Sequence, residues 1–156
     1  MKAQAMAEEH PQFDPARFAE KFDFVVRDAT IPELAATTKE DALREMVAAL
    51  INAGEIRADA QDAVVAALVK REQTGSTGIG NGVAVPHAKH EAVDRVVGTV
   101  AWSTRGLDFA AIDRQPVHLI ILVVFPPDHG GAYLRALEEI SRELRSIPRP
   151  LRKAQQ

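Results

Sequence analysis

Residues 71–87 read REQTGSTGIGNGVAVPH, and they hold most of the chemistry this chain can offer. Gly or a small hydroxyl residue fills five of the six positions 75–80. Glycines let successive backbone N–H groups converge on an anion, Ser76 and Thr77 add hydroxyl donors, and Arg71 adds a nearby cation. No Lys-Ser/Thr follows the last glycine, so this is not a Walker A loop. A helical pattern precedes it where a dinucleotide fingerprint needs a strand. The same composition also suits a flexible connector between Lys70 and Val83, and the loop alone does not choose between cradle and connector.

His87 stands at the far end, directly after Pro86. Proline fixes φ and donates nothing to a ladder, so the strand is expected to end there and present His87 at the sheet margin. A neutral imidazole is a nucleophile near pH 7 that also leaves reversibly. For phosphoryl transfer one ring nitrogen must be tied to an acceptor so that the other presents its lone pair. Donors must then surround the equatorial oxygens of the moving group. Arg71, Ser76, Thr77 and the glycine backbone are candidates for that task. The competing reading of a lone histidine is a surface or capping residue.

The other histidines are weaker candidates. His10 falls in a polar N-terminal stretch. His90 follows His87 by three positions, but no helical pattern or third ligand completes a metal site. His118 interrupts an apolar strand and reads as a satisfied core or edge residue. His129, beside Asp128, lies at the mouth of the last helix. Ser76, His87 and Asp108 are the right types for a hydrolase triad, yet no G-x-S-x-G elbow exists.

These residues need a scaffold. Thr37 and Glu40 form a capping-box pattern ahead of Leu43, Met46, Val47, Leu50 and Ile51, an amphipathic stripe that Gly54 terminates. Asp59 is expected to cap a second helix, with Val64, Val65, Leu68 and Val69 inward and Lys70 and Arg71 at its electronegative end. Residues 22–26, 83–85, 96–102 and 117–125 read as strands; the last is apolar except for His118 and suits burial on both faces. Leu134, Leu137, Ile140, Ser141 and Leu144 give a final helix its inward stripe. The order implies an α/β fold with a mixed β-sheet flanked by α-helices. The expected organisation is a flexible, loosely held N-terminal arm over 1–20, one domain over 21–147, and a basic tail over 148–156.

The chain has 156 residues, no cysteine, and 19 Lys+Arg against 22 Asp+Glu for a net charge of −3. That length can bury a sizeable single core. Zero cysteines exclude disulfides, thiolate metal sites and a cysteine nucleophile. The slightly acidic balance argues against a nucleic-acid partner. The longest apolar run, 119–125, is too short to span a bilayer, and residues 1–10 do not read as a signal peptide. A cytoplasmic protein without metal or cofactor is the expectation.

Taken together, Arg71-Glu72, the Ser-Thr-Gly-Ile-Gly loop and the Pro86-His87 ending resemble the IIA domains of the bacterial sugar phosphotransferase system, fructose/mannitol class. The resemblance runs over roughly 22–145, through Asp94-Arg95-Val96-Val97-Gly98, Leu107-Asp108-Phe109 and Gln115-Pro116-Val117. Gly80-Asn81-Gly82 with Pro86-His87-Ala88-Lys89, and Ile112-Asp113, are most similar to the nitrogen-regulatory branch. The resemblance implies that His87 accepts a phosphoryl group from an HPr-type carrier protein, with Arg71, Ser76, Thr77 and Gly78 shaping the phosphate site. It implies as partners that carrier and either a separate IIB protein or a regulated transporter or kinase. The lack of cysteine implies that any IIB partner is a separate protein.

Two departures qualify this. Family members carry a second histidine in a His-Leu pair at the start of the last helix, and here Tyr133 takes that position. A tyrosine donates a hydrogen bond but brings no imidazolium charge; His129, four residues earlier, is the other candidate for the role. Pro148 and Pro150 also stop the last helix early. The alternatives are therefore a binding module without effective phosphotransfer, and a sugar-specific fructose-type IIA.

Overall fold

A computed structural model describes residues 13–128 and 130–147. The elements in order are α1 (Pro15–Ala19), α2 (Lys39–Asn52), α3 (Gln61–Thr74), β1 (Gly78–Gly80), β2 (Val83–Ala84), β3 (His87–Lys89), β4 (Val97–Leu107), β5 (Val117–Phe125) and α4 (Gly130–Ser146). Short 3-10 turns cover Arg27–Ala29 and Ala58–Ala60.

β5 organises the sheet. Its apolar content, interrupted only by the buried His118, leaves no hydrophilic face, which suits a strand covered on both sides. Leu119, Ile121 and Val123 enter one core with Phe18, Phe22, Trp102 and Ile140, beneath α1 and α4. Ile120, Leu122 and Val124 enter the other with Leu43, Val47 and Leu68, beneath α2 and α3. β4 pairs antiparallel along β5, from Val97↔Val124 to Trp102↔Leu119. β2 and β3 pair parallel with β5, Val83↔Leu119 and His87↔Val123. β1 folds back antiparallel on β2. The sheet is therefore mixed and flanked by helices, as expected.

β2 and β3 run against β5 in the same register, so they are one strand interrupted at Val85-Pro86. The Pro86 carbonyl still accepts from Val123 N–H at 3.0 Å, whereas Val85 N–H turns to the Thr77 carbonyl at 3.0 Å. Proline lacks the amide that would carry the ladder across this point. The strand resumes at His87 where termination was expected, and the ring projects from an element held by β5.

Several local expectations are corrected. The cap of α2 is Thr38, whose hydroxyl accepts from Asp41 N–H at 3.2 Å, one residue beyond the Thr37 of the capping-box pattern. Asp59 caps nothing; it pairs with Arg57 at 3.2 Å, and the N-cap of α3 is Ala60. In α4 Leu134 faces outward, 62% exposed, while Ala136 and Ile140 are buried, because Tyr133 and Ala136 take the sheet-facing positions. Ser141 is exposed. Residues 22–26 contribute one parallel bridge, Val25↔Gly98, in place of a full strand. The expected arm over 1–20 is not loose over 13–20: Asp14 caps α1, Phe18 is buried, and Phe13 stacks on Trp102 at 5.1 Å. Apolar aromatic surface outweighs the polar composition there. Residues 1–12, including His10, and the basic tail over 148–156 lie outside the described residues.

Candidate functional site

The site forms where the C-terminal end of α3 meets the start of β3. The buried face of α3, through Val64, Val65 and Leu68, fixes its rotation against the sheet. That rotation brings Arg71 to His87: Arg71 Nε donates to His87 Nε2 at 3.2 Å. Arg71 Nη1 donates to the Gly75 carbonyl at 2.7 Å and to Thr74 Oγ1 at 3.3 Å. A guanidinium near a helix C-terminus gains from the dipole and from the last turn's free carbonyls.

On the other side of the ring, Nδ1 lies 2.9 Å from the Val85 carbonyl. A carbonyl only accepts, so Nδ1 carries the proton and Nε2 the lone pair, an assignment that Arg71 Nε donating to Nε2 requires independently. Burial lowers the His87 pKa below its ordinary 6.5, and the Arg71 charge adds to that; the Val85 carbonyl and the Glu72 charge oppose it. His87 is thus a neutral imidazole near pH 7, with its lone pair directed at a cation.

Two clefts flank the ring. One, of about 240 Å³, is walled by Ser76, Thr77, Ile79, Val85, Leu137 and Leu144. The other, of about 460 Å³, is lined by Lys70, Lys89, Thr74, Phe125 and Tyr133. The second is the more cationic one, lined by Lys70, Lys89 and Arg71, whereas Arg71 alone is the cation of the first.

Tyr133 lies flat on Phe125, ring centroids 3.8 Å apart at 15°, with its ring 5.6 Å from that of His87. Burial raises its pKa, against the lowering effect of Arg71, so the phenol stays protonated. His129, the other candidate for the supporting role, lies outside the described residues.

The hydroxyls expected to serve an anion have local partners. Ser76 Oγ donates to the Phe109 carbonyl at 2.5 Å and accepts from Gly78 N–H at 2.9 Å. Thr77 Oγ1 donates to Glu72, and Thr77 N–H points at the same carboxylate at 3.3 Å. The glycine loop is neither an open nest of amides nor a slack connector. It is a hairpin, with Asn81 at φ 58° and Gly82 at φ 81°, the left-handed pair that a two-residue turn between twisted strands requires. Gly78 is needed for space, since a Cβ there would stand 2.8 Å from Ala111 Cβ.

Glu72 and Lys39 escaped the sequence reading as site residues. Glu72 Oε2 lies 3.2 Å from Lys39 Nζ, and Lys39 Nζ sits 5.2 Å over the Phe109 ring. The available signal was the adjacency of Glu72 to Arg71. His118 behaves as the satisfied core residue expected, with Nδ1 2.7 Å from the Ser103 carbonyl. His90 Nδ1 accepts from Ala92 N–H at 2.9 Å. Among the described residues, no group of three or more His, Asp or Glu is placed to hold a metal ion, and no helix is long and apolar enough to cross a membrane.

Comparison with known proteins gives this geometry a context. Residues 24–148 match the family described as phosphoenolpyruvate-dependent sugar phosphotransferase system, EIIA 2. The chain is 37% identical over 123 residues to a nitrogen regulatory protein of Bradyrhizobium diazoefficiens, covering 79% of this chain and 78% of that one. It is 37% identical over 107 residues to a fructose-specific EIIA component of Haloferax volcanii, covering 69% and 68%. Among solved structures, nitrogen regulatory protein IIA-Ntr from Neisseria meningitidis superposes with a TM-score of 0.72 at 26% identity, covering 83% of this chain and 88% of that one.

Proposed function

We propose, from the premise that this chain belongs to the EIIA 2 family of the phosphoenolpyruvate-dependent sugar phosphotransferase system, that it is a regulatory phosphocarrier whose acceptor is His87 Nε2. The observation that carries this reading is the imidazole held between two groups of opposite demand. The Val85 carbonyl accepts from Nδ1–H at 2.9 Å, and Arg71 Nε donates to Nε2 at 3.2 Å.

In the proposed step the Nε2 lone pair forms a bond to the phosphorus of a donor phosphohistidine. The donor's N–P bond breaks, and its electron pair returns to the donor imidazole. An HPr-type carrier protein fits as donor, because its phosphohistidine supplies a phosphoryl group of matched transfer potential. Arg71 then exchanges its bond to Nε2 for bonds to phosphoryl oxygens, where a fixed cation is worth most as charge develops. Lys70 and Lys89, on the adjacent cleft, lie on the side that an incoming dianion would favour. Ser76 and Thr77 serve as wall and hairpin anchor, and their hydroxyls join the phosphate only by leaving Phe109 and Glu72. Tyr133 offers a neutral donor beside the ring.

The regulatory assignment rests on the likeness to nitrogen regulatory proteins. In that reading the phosphorylation state of His87 controls docking to a transporter or kinase in the cytoplasm. The likeness to a fructose-specific EIIA component supports the second reading, delivery to a separate IIB protein. Tyr133, neutral where the family resemblance implies an imidazole, supports a third, a binding module with slow transfer.

The test is incubation with phosphoenolpyruvate, enzyme I and an HPr-type donor. The expected product is an acid-labile, base-stable phosphate on the wild type and none on His87→Ala. Equal labelling of His87→Ala overturns the acceptor, and an unlabelled, folded wild type leaves the binding module.

A further inference from the structure

Glu72 is the only buried acidic residue among the described residues, and it occupies a costly place. It lies in the last turn of α3, where the helix dipole disfavours a negative charge, and its side chain is 4% exposed. A carboxylate there is tolerable only if it is paired and its lone pairs are filled. Lys39 supplies the pairing at 3.2 Å from the start of a different helix. Thr77 supplies both its amide at 3.3 Å and its hydroxyl.

From Thr77 the bonding continues without a gap. The Thr77 carbonyl accepts from Val85 N–H at 3.0 Å, and the Val85 carbonyl accepts from His87 Nδ1–H at 2.9 Å. The path is ammonium, carboxylate, Thr77 backbone, Val85 backbone, imidazole. Pro86 has no amide N–H to bond β5, and on the β1 side Val85 N–H is anchored by Thr77, one residue's width from the Val85 carbonyl that meets His87.

We propose that Glu72, balanced by Lys39, is a positioning residue that fixes His87 in its Nδ1–H tautomer through Thr77 and Val85. Its effect is to keep the lone pair on Nε2, the nitrogen that faces Arg71. This rests on the reading of His87 as the acceptor. Glu72 touches neither the ring nor a phosphoryl group; beside its through-space charge on His87, its bonded route to the ring runs through the hairpin. The hydroxyl and amide of Thr77 are thereby committed to orienting the nucleophile, which leaves Arg71 as the principal donor to the anion.

The experiment is nitrogen NMR of the His87 ring in the full unphosphorylated chain, held above pH 7 so that the ring is neutral, with label uptake measured on the same samples. Wild type is expected to give one dominant tautomer, protonated at Nδ1. Glu72→Gln keeps the size but accepts at one atom only, so it cannot satisfy Lys39 and both Thr77 donors. The ratio of Nδ1–H to Nε2–H is expected to fall about 5-fold, the worth of one net hydrogen bond. Uptake is expected to fall through kcat with the donor KM unchanged. Arg44→Ala, which opens the exposed Arg44–Asp62 pair, is expected to leave both readouts alone. If Glu72→Gln fails to fold, Thr77→Val decides, since it removes the hydroxyl bond and keeps the backbone path; a smaller shift in the same direction is expected. A folded variant with the wild-type tautomer ratio overturns the proposal, as does an equal shift in Arg44→Ala. A wild type that takes no label defeats the phosphocarrier reading instead, and the tautomer comparison still decides the role of Glu72.

Discussion

Arg71 Nε donates to His87 Nε2 across 3.2 Å, so the atom proposed to attack phosphorus is also the atom that the site's cation already occupies. The contact sets the lone pair toward the guanidinium, disfavours a proton on Nε2, and keeps the cation where the transferred group would arrive. Removing the charge while retaining hydrogen bonding isolates this role. Arg71→Gln is expected to lower the rate of label uptake by about 100-fold, the usual cost of losing one fixed donor to developing charge. Circular dichroism should be unchanged, because Arg71 is only half-buried. Uptake within 3-fold of wild type would remove Arg71 from the transfer step.

The pH dependence follows from the same pair. Burial first, and then the Arg71 charge, hold the His87 pKa below 6.5. The neutral nucleophile therefore persists to lower pH than an ordinary histidine allows, and uptake should stay on its plateau as pH falls through 6.5. The linkage has the opposite sense for stability. A group whose folded pKa is depressed is protonated first in the unfolded chain, so stability falls as pH drops from 6.5 to the folded pKa and is level below it. A proton NMR titration of His87 should give a midpoint below 6.5, moving up in Arg71→Gln. A midpoint at or above 6.5 in the wild type contradicts the description.

The N-terminal helix is a structural commitment that composition concealed. Phe18 is buried, packs edge-on against Phe22 at 5.2 Å and touches Phe13 at 5.5 Å, while Phe13 covers Trp102. Phe18→Ala is expected to cost about 3 kcal/mol, the low end for deleting a buried aromatic ring. The chain has a single tryptophan, so denaturant unfolding followed by Trp102 fluorescence measures this directly. A loss below about 1 kcal/mol would make this segment peripheral after all.

What the sequence disclosed and what it withheld divide along a physical line. β5 was legible because nine residues with a single polar side chain at position 118 admit few structures other than a strand covered on both faces. The approach of Arg71 to His87 was legible because a helix end, a short hairpin and a proline leave little freedom between them. The Glu72–Lys39 pair was not, because the two residues lie 33 positions apart and meet only once α2 packs on α3. The hydroxyls of Ser76 and Thr77 were assigned to an anion by residue type, yet direction depends on partners. The Phe109 carbonyl, also 33 positions from Ser76, accepts from one hydroxyl, and Glu72 accepts from the other. The choice of Ala136 over Leu134 as a core position turned on the rotation of α4, in which Tyr133 lies on Phe125 and Ala136 and Ile140 face the core.

In the proposed phosphocarrier, Tyr133 is the residue expected to govern how well the site transfers a phosphoryl group. Its ring is fixed on Phe125 at 3.8 Å, close to His87, and its phenol remains protonated across the working pH range because burial raises its pKa. It can give one neutral hydrogen bond and no charge. Tyr133→Phe preserves the stack and removes the donor, and uptake should fall about 3-fold to 10-fold, the range of one net hydrogen bond. Tyr133→His places a second group that titrates near pH 6.5 beside the acceptor. Uptake should rise above wild type below that pH, as the new imidazolium adds charge against the phosphoryl oxygens, and a second ionisation should enter the pH–rate profile. Initial-rate labelling from pH 5.5 to 8.5 on the three proteins distinguishes these outcomes. If Tyr133→His is no faster at any pH, the tyrosine is an adequate replacement for imidazole and the slow-transfer reading loses its support. If Tyr133→Phe matches wild type, the hydroxyl makes no contact with the phosphoryl group, and the ring serves only to wall the cleft.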